Sequence, residues 1–394
     1  MKTKGNHRIA RLFTDHRTSA VAISVFSIIL ALAVASILLL ILGKNPLTAF
    51  GALLQGCGIL PKPQYGGGKG MISDFCTYLN LLAPMIIASL AFIIGSRCGL
   101  FNIGISGQML AGAWLAYLFV GYTKLNAWVA KPLVILIGIA AGGLLGALVG
   151  FLKYRFNIHE VVATIMINHI IRYLVGFHIN GWHADMITRN ASVVSPASRL
   201  SWTNVVIAGQ KCSIPLGIFL AIAAAIAVWF LFERTVFGFE LRAVGMNNTC
   251  ARYTGIRVGR NVIWAMILSG MLAGLAGVCF YTGYTNTIVP KTLAGMGYDS
   301  IAVALLGNSS PIGAIFASIL IVIFQNGTNY MSSTIGVASE IASLIIGILL
   351  LFSACGGFIR EKMDLIVRRS EEEGRIRDTG QDDGKNHGKE AGHE

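Results

Sequence analysis

Uncharged apolar runs of about 20 residues, the length at which a helix crosses the hydrocarbon of a bilayer, recur along most of this chain. The first, Ala20 to Leu42, holds 23 residues without a charge. Inside lipid each backbone N–H and C=O needs a partner within its own segment, so repeated runs of this length fold as helices rather than as an open sheet. With 55% hydrophobic and 12% charged residues, the 394-residue chain has too few charges to solvate a soluble fold of its size. It reads as an all-α polytopic membrane protein.

About ten transmembrane helices are expected, near 20–42, 79–96, 102–122, 132–152, 160–179, 213–232, 261–284, 299–309, 311–328 and 338–358. The run at 20–42 follows Lys2, Lys4, Arg8, Arg11 and Arg17, is longer than a signal segment and has no small-x-small cleavage site, so it reads as a retained first helix. The net charge of +13 invites a nucleic-acid partner, but the basic residues sit in the tails and short loops, which is the positive-inside pattern. No nucleic-acid partner is expected. A cytosolic N-terminus then puts Lys153, Arg155, the polar segment 233–260 and Arg360 to Arg369 on the cytosolic side, and 43–78 and 180–212 outside. The expected organisation is a basic cytosolic tail over 1–19, a transmembrane domain over 20–359 and a charged, disordered cytosolic tail over 360–394.

Seven cysteines (57, 76, 98, 212, 250, 279, 355) show no CxxC and no Cys/His cluster, and read as packing residues. Gly138, Gly142, Gly146 and Gly150 recur every fourth residue, a stripe open to backbone approach by another helix. Two readings stand for it: static close packing, which is favoured, and a moving seam. Asn102, Ser106 and Gln108 lie among Gly99, Gly104 and Gly107, which suggests unwound backbone that either lines a solute path or is capped by the amides. Asn157 and Glu160 have the spacing of a capping box, and Asn168, His169 and Arg172 share a hydrophilic face of the same span. Asp299 and Glu340 read as helix starts, and Asn308, Ser309, Ser310 and Pro311 break the short run before them. Few ionisable groups lie deep in the spans, which leaves a proton or sodium relay little to work with. No G-x-x-x-x-G-K-[ST] motif occurs, and the nearest run, GGGKG at 66–70, has Gly after Lys.

The segment 233–260, ERTVFGFELRAVGMNNTCARYTGIRVGR, reads as two short helices, 239–244 and 248–253, closed by Gly245 and Gly255 and capped by Asn247 or Asn248. Arg242, Arg252, Arg257 and Arg260 face lipid headgroups or a protein.

Its pattern at Gly238, Leu241, Arg242, Ala243, Gly245, Asn247, Ala251, Arg252 and Gly255 resembles the coupling loop of ABC importer permeases of the sugar, branched-chain amino acid and nucleoside group. FNIG-x-x-GQ at 101–108 is similar to the nucleoside branch associated with basic-membrane-protein-like lipoproteins, and SIAVALLGNSSPIGAIFASI at 300–319 to the group's late Gly-Asn-x-x-Pro-x-Gly region. The resemblance covers roughly 80–355; many members carry an acidic residue where this chain has Ser106. It implies a type II-like permease with an inverted 5+5 repeat, to which the similar runs HEVVATIMI at 159–167 and SEIASLIIG at 339–347 add weak support. It further implies a multi-pass place in the bacterial inner membrane, a partner ABC ATPase that binds ATP and Mg, a second permease of the same or another sequence, and an external solute-binding lipoprotein. This chain itself needs no cofactor or metal and is not an enzyme. The solute expected is a nucleoside, passing near Asn102, Ser106, Gln108, Asn168 and Asn308; a ribose-like sugar is the alternative. An ion-coupled secondary carrier and a membrane scaffold or receptor are the rivals of other classes.

Overall fold

The computed structural model describes residues 19–65, 69–207, 209–337, 340–354 and 365. Most of both expected tails, residues 66–68 of the GGGKG run, and Cys355 lie outside the described residues. The described residues fall into two compact units, those within 40–346 and those within 1–39 and 347–394. In the smaller unit, helix α1 (Ser19–Ile41) has a stripe at Ala31, Ala35 and Leu39 that is fully buried, whereas Val25, Ile29 and Ile37 are exposed.

The larger unit holds the long apolar helices. Among the described residues six are long and apolar enough to cross a membrane: α3 (Met71–Arg97), α5 (Ala127–Phe156), α6 (Glu160–His178, extended by a π-helical turn to His183), α7 (Gly217–Arg234), α10 (Val258–Val278, extended likewise to Tyr284) and α12 (Pro311–Ile335). A seventh is counted if Ile28–Ile41 and α2 (Pro46–Gly56) form one broken span. α2 falls inside the expected external segment 43–78, with the Asn45 side chain and Pro46 starting it. α4 (Ile105–Ala116, with a π-helical turn to Gly121) and α11 (Met296–Leu306) are shorter apolar helices, and α13 (Glu340–Ala354) follows α12. Asp299 sits in the first turn of α11 rather than at its start.

The fold is mostly helical, with one element the sequence reading did not include and one that it placed differently. β1 (Ser201–Ile207) and β2 (Gln210–Pro215) pair antiparallel inside and just beyond the expected outer loop. The β-branched run at Thr203, Val205, Val206 and Ile207, followed by Gly209 at φ 77°, is the local cause. Asn157 does not open α6; at φ 53° it closes α5, while the His159 side chain accepts from the Val161 N–H and caps α6. Glu160 instead pairs with Lys153 at the end of α5, which ties the two helices where they turn.

α3 is buried over nearly its whole length and packs against α7, α10, α11, α12 and β2. α5 and α10 meet most closely, and glycine explains why. A Cβ added at Gly142 would lie 2.1 Å from the Gly270 carbonyl oxygen, one at Gly146 2.1 Å from that of Met266, and one at Gly274 2.0 Å from that of Gly138. At Gly138 the obstacle is the Val278 side chain at 2.2 Å, and at Gly150 the Ile263 Cα at 2.9 Å. The expected stripe lies backbone to backbone against Gly270 and Gly274, at distances no side chain permits. We expect Gly142→Ala and Gly274→Ala each to cost about 1–3 kcal/mol through overpacking. Thermal unfolding in detergent measures this, with Gly51→Ala, where a Cβ meets nothing within 4 Å, as the unaffected control.

Candidate functional site: a polar core beneath a docked loop

Between α3 and α4 the backbone unwinds over residues 98–104, beginning with Gly99 at φ 74°. Unwound backbone inside an apolar fold leaves N–H and C=O groups in need of partners, and buried amides supply them. Asn102 is fully buried; its Nδ2 donates to the Gln108 Oε1 (3.0 Å) and the Ser269 Oγ (2.8 Å), and its Oδ1 accepts from the Gly104 N–H (2.9 Å). Ser269 passes the chain on to the Ala91 carbonyl at 2.6 Å. From α6, Asn168 accepts from the Gly107 N–H (2.9 Å) and donates to the Ile103 carbonyl (2.9 Å) and the Tyr298 hydroxyl (3.4 Å). The Ser106 hydroxyl donates to the Ala294 carbonyl at 3.0 Å. Asn102, Ser106, Gln108 and Asn168 thus join α3, α4, α6, α10 and the start of α11 in one cluster. Gln108 Nε2 is buried there without a partner among the described residues.

Asn308 is not one of these partners. It is exposed, at φ 52°, beside Ser309 at φ 50°, in the break between α11 and α12. Two successive non-glycine residues in the left-handed region cost about 1–3 kcal/mol each and persist only where neighbours hold them. The Ser309 N–H donates to the Ala304 carbonyl (2.8 Å), and its own carbonyl accepts from Arg97 Nε at 2.9 Å.

The polar segment after α7 is built to lie against the end of α3. Thr235 caps α8 (Val236–Met246) by accepting from the Gly238 N–H at 3.0 Å. At Gly238 a Cβ would fall 2.0 Å from the Leu231 carbonyl oxygen, so α8 folds back tightly on α7. Leu241, Val244 and Ala251 are buried anchors, whereas Ala243 is half-buried. Asn247 caps α9 (Asn248–Tyr253), its Oδ1 accepting from the Thr249 and Cys250 N–H groups, and Gly255 closes it at φ 84°. At Gly245 a Cβ would lie 2.2 Å from the Arg97 carbonyl oxygen, and one at Gly99 3.3 Å from the Gly245 Cα. The loop therefore rests on the backbone from which the unwound segment starts.

Arg97 was not legible as a site residue in sequence, yet it joins three parts: its carbonyl meets Gly245, its Nε holds Ser309, and its guanidinium lies 5.7 Å from the Phe232 ring at the end of α7. The opposite side of the loop is open. Met246 and Tyr253 are 87% and 89% exposed, and Asn247 to Cys250 and Arg252 to Gly255 are exposed as well. Arg242 pairs with Glu233 at 3.7 Å, and Arg260 with Glu240 at 3.6 Å. A cavity of about 610 Å³ lined by Tyr154, Arg252, Arg257, Arg260 and Trp264 lies alongside.

A helical membrane chain with a capped, outward-facing loop seated on a broken-helix core has the form of a translocation subunit. The match of residues 75–354 to the branched-chain amino acid transport system / permease component family establishes that the chain belongs to it, as a multi-pass membrane permease and not an enzyme. It is 34% identical over 356 residues to the guanosine ABC transporter permease protein NupP of Bacillus subtilis (strain 168), covering 90% of this chain and 98% of that one. It is 30% identical to the nucleoside ABC transporter permease protein NupB of Lactococcus lactis subsp. cremoris (strain MG1363), over 86% and 92%. The glucose ABC transporter permease protein TsgB13 of Haloferax volcanii is 24% identical, over 85% and 87%.

The cluster has a measurable weight. Asn102→Ala leaves the Gly104 N–H and the Gln108 Oε1 without their partners, at about 1–3 kcal/mol for each buried group. The expected outcome is a lower midpoint of thermal unfolding in detergent than for Asn102→Gln or wild type; an unchanged midpoint would remove the cluster from the account.

Proposed function

We propose that this chain carries nucleosides inward, as the membrane-spanning half of an ATP-driven importer. The observation that carries the reading is the near full-length likeness to guanosine and nucleoside permeases. The docked loop supports it. In this reading an ABC ATPase, holding ATP and Mg, grips residues 239–256 through exposed Met246, Tyr253 and Arg252. Closure of the ATPase pushes on Gly245 and thereby on Arg97 to Gly99. A push there reaches the Asn102 cluster along the unwound backbone and the Ser309 break through the arginine side chain. The solute path opens near Asn102, Ser106, Gln108, Asn168 and Asn308, and Gln108 Nε2 becomes an available donor for a sugar hydroxyl or a base edge. The coupling is mechanical, with no covalent chemistry on this chain.

The finer architecture belongs to the same proposal: ten spans in two inverted sets of five, α4, α11 and α13 completing the count, and both termini cytosolic in the bacterial cell (inner) membrane. A second permease, of the same or another sequence, completes the pore. The outer segments 43–78, holding α2, and 180–212, holding most of the hairpin, receive solute from an external binding lipoprotein. A monosaccharide is the second reading, favoured by the glucose permease relative.

The test is uptake of labelled guanosine into proteoliposomes holding this chain with its ATPase, second permease and lipoprotein. The expected result is uptake that needs ATP, survives collapse of ion gradients, and is competed by adenosine and uridine but not by ribose. Competition by ribose alone selects the sugar reading; uptake by this chain alone under an ion gradient overturns the importer.

A further inference from the structure

His169 and Arg172 of α6 are polar groups that the buried cluster does not use. Counting from Glu160 at 1.5 Å per residue, they lie about 13 and 18 Å along the helix, close to the middle of a bilayer of about 30 Å. Even so, His169 is exposed and Arg172 half-buried. Imidazole and guanidinium groups at this depth face a protein interior or a water-filled path rather than lipid tails. His169 and Arg172 mark a narrow polar path on an outer aspect of α6 that otherwise exposes Met166, Ile170 and Tyr173.

The neighbouring groups give that path a chemistry. Arg172 follows Asn168 by one helical turn, so the two share a face, and Asn168 meets the Tyr298 hydroxyl at 3.4 Å. Tyr298, from the first turn of α11, is 44% exposed. Arg172 Nε donates to the Lys291 carbonyl, and Lys291 is held at φ 57° to present it. Gly176, a further turn along, lets this backbone approach, since a Cβ there would fall 2.9 Å from the Lys291 nitrogen. Arg172 is anchored through Nε, its guanidinium also lies 5.5 Å from the neighbouring Tyr173 ring, and among the described residues its terminal amino groups and the His169 ring make no hydrogen bond. The rim presents a partly exposed Tyr298 ring and, one turn along α6 from the asparagine that meets its hydroxyl, the Arg172 guanidinium.

We propose that this rim reads the base of the solute: a purine ring stacks on Tyr298, and its N7/O6 acceptor edge takes the Arg172 amino groups, with His169 beside them. Paired acceptors on one edge match a guanidinium fork, a feature of guanine that uracil lacks. The rim therefore favours guanosine over uridine. The inference rests on the nucleoside-importer reading.

The experiment measures guanosine and uridine uptake by the complete transporter carrying wild type, Arg172→Gln, Arg172→Lys, Tyr298→Ala or Tyr298→Phe. Basal ATPase activity and monodispersity serve as checks of assembly. Arg172→Gln and Arg172→Lys should each lower the guanosine-to-uridine ratio of kcat/KM by about tenfold, chiefly by loss of guanosine. Lysine keeps the charge and loses only the fork. Tyr298→Ala should raise KM for both nucleosides by about tenfold, whereas Tyr298→Phe, which keeps the ring, should stay near wild type. An unchanged ratio, or an equal loss for both nucleosides as expected of a surface that merely seats the second permease, overturns the proposal. Wild type that carries neither nucleoside refutes the importer reading, and the proposal with it; wild-type uptake with unchanged variant ratios refutes the proposal alone.

Discussion

The approach of Gly245 to the backbone of Arg97 and Cys98 is the contact on which the proposed mechanism depends. With a would-be Cβ 2.2 Å from a carbonyl oxygen, no side chain fits there without displacing one backbone from the other. A loop held by flexible side chains would absorb a push from a partner by changing rotamers. Backbone against backbone transmits it, because packed main chain has few low-energy ways to yield. Both elements are fixed from their far ends as well: α8 by the Thr235 cap and the Gly238 approach to α7, and Arg97 by Ser309 and Phe232.

Below that contact, the chain resolves an ordinary conflict of membrane folds. A helix that unwinds inside the bilayer frees polar groups that lipid cannot satisfy. Here Asn102 and Asn168 satisfy them with neutral side chains, with Gln108 and Ser269 holding Asn102 in place, avoiding the far greater expense of buried charge. The same economy appears between α5 and α10, where glycines bring helices together without a hydrophobic driving force. A fold made in this way is short of fixed charges. In the proposed mechanism the energy for transport enters from a partner subunit.

Much of this was legible in the residues. Apolar length located the long helices, because lipid thickness sets a scale that sequence reports directly, and Asn247 and Gly255 bounded α9 because caps act locally. Asn102, Ser106 and Gln108 stood out in the sequence as polar groups beside glycines, with a solute path and helix capping both open; their hydrogen bonds, and the joining of Asn168 to them, come from the fold, and the solute path stays a proposal. Three things escaped. The hairpin over 201–215 lay in a segment too short and polar to stand out beside the spans. Asn157 has the composition of a helix start, but its left-handed φ, invisible in sequence, makes it a helix end. Arg97 and the Gly245–Gly99 approach are tertiary pairings over more than 130 positions, and no local pattern reports them.

The central claim is that force passes through Gly245. Its most direct measurement is the number of ATP molecules hydrolysed per nucleoside carried by the reconstituted transporter with Gly245→Ala or Gly245→Val. A Cβ at this position separates the loop from Arg97 while leaving Met246, Tyr253 and Arg252 exposed for the ATPase. The account predicts that hydrolysis continues, solute binding by the lipoprotein is unaffected, and uptake falls by about tenfold or more, so that the ratio rises steeply. Uptake at the wild-type ratio with either substitution would contradict it.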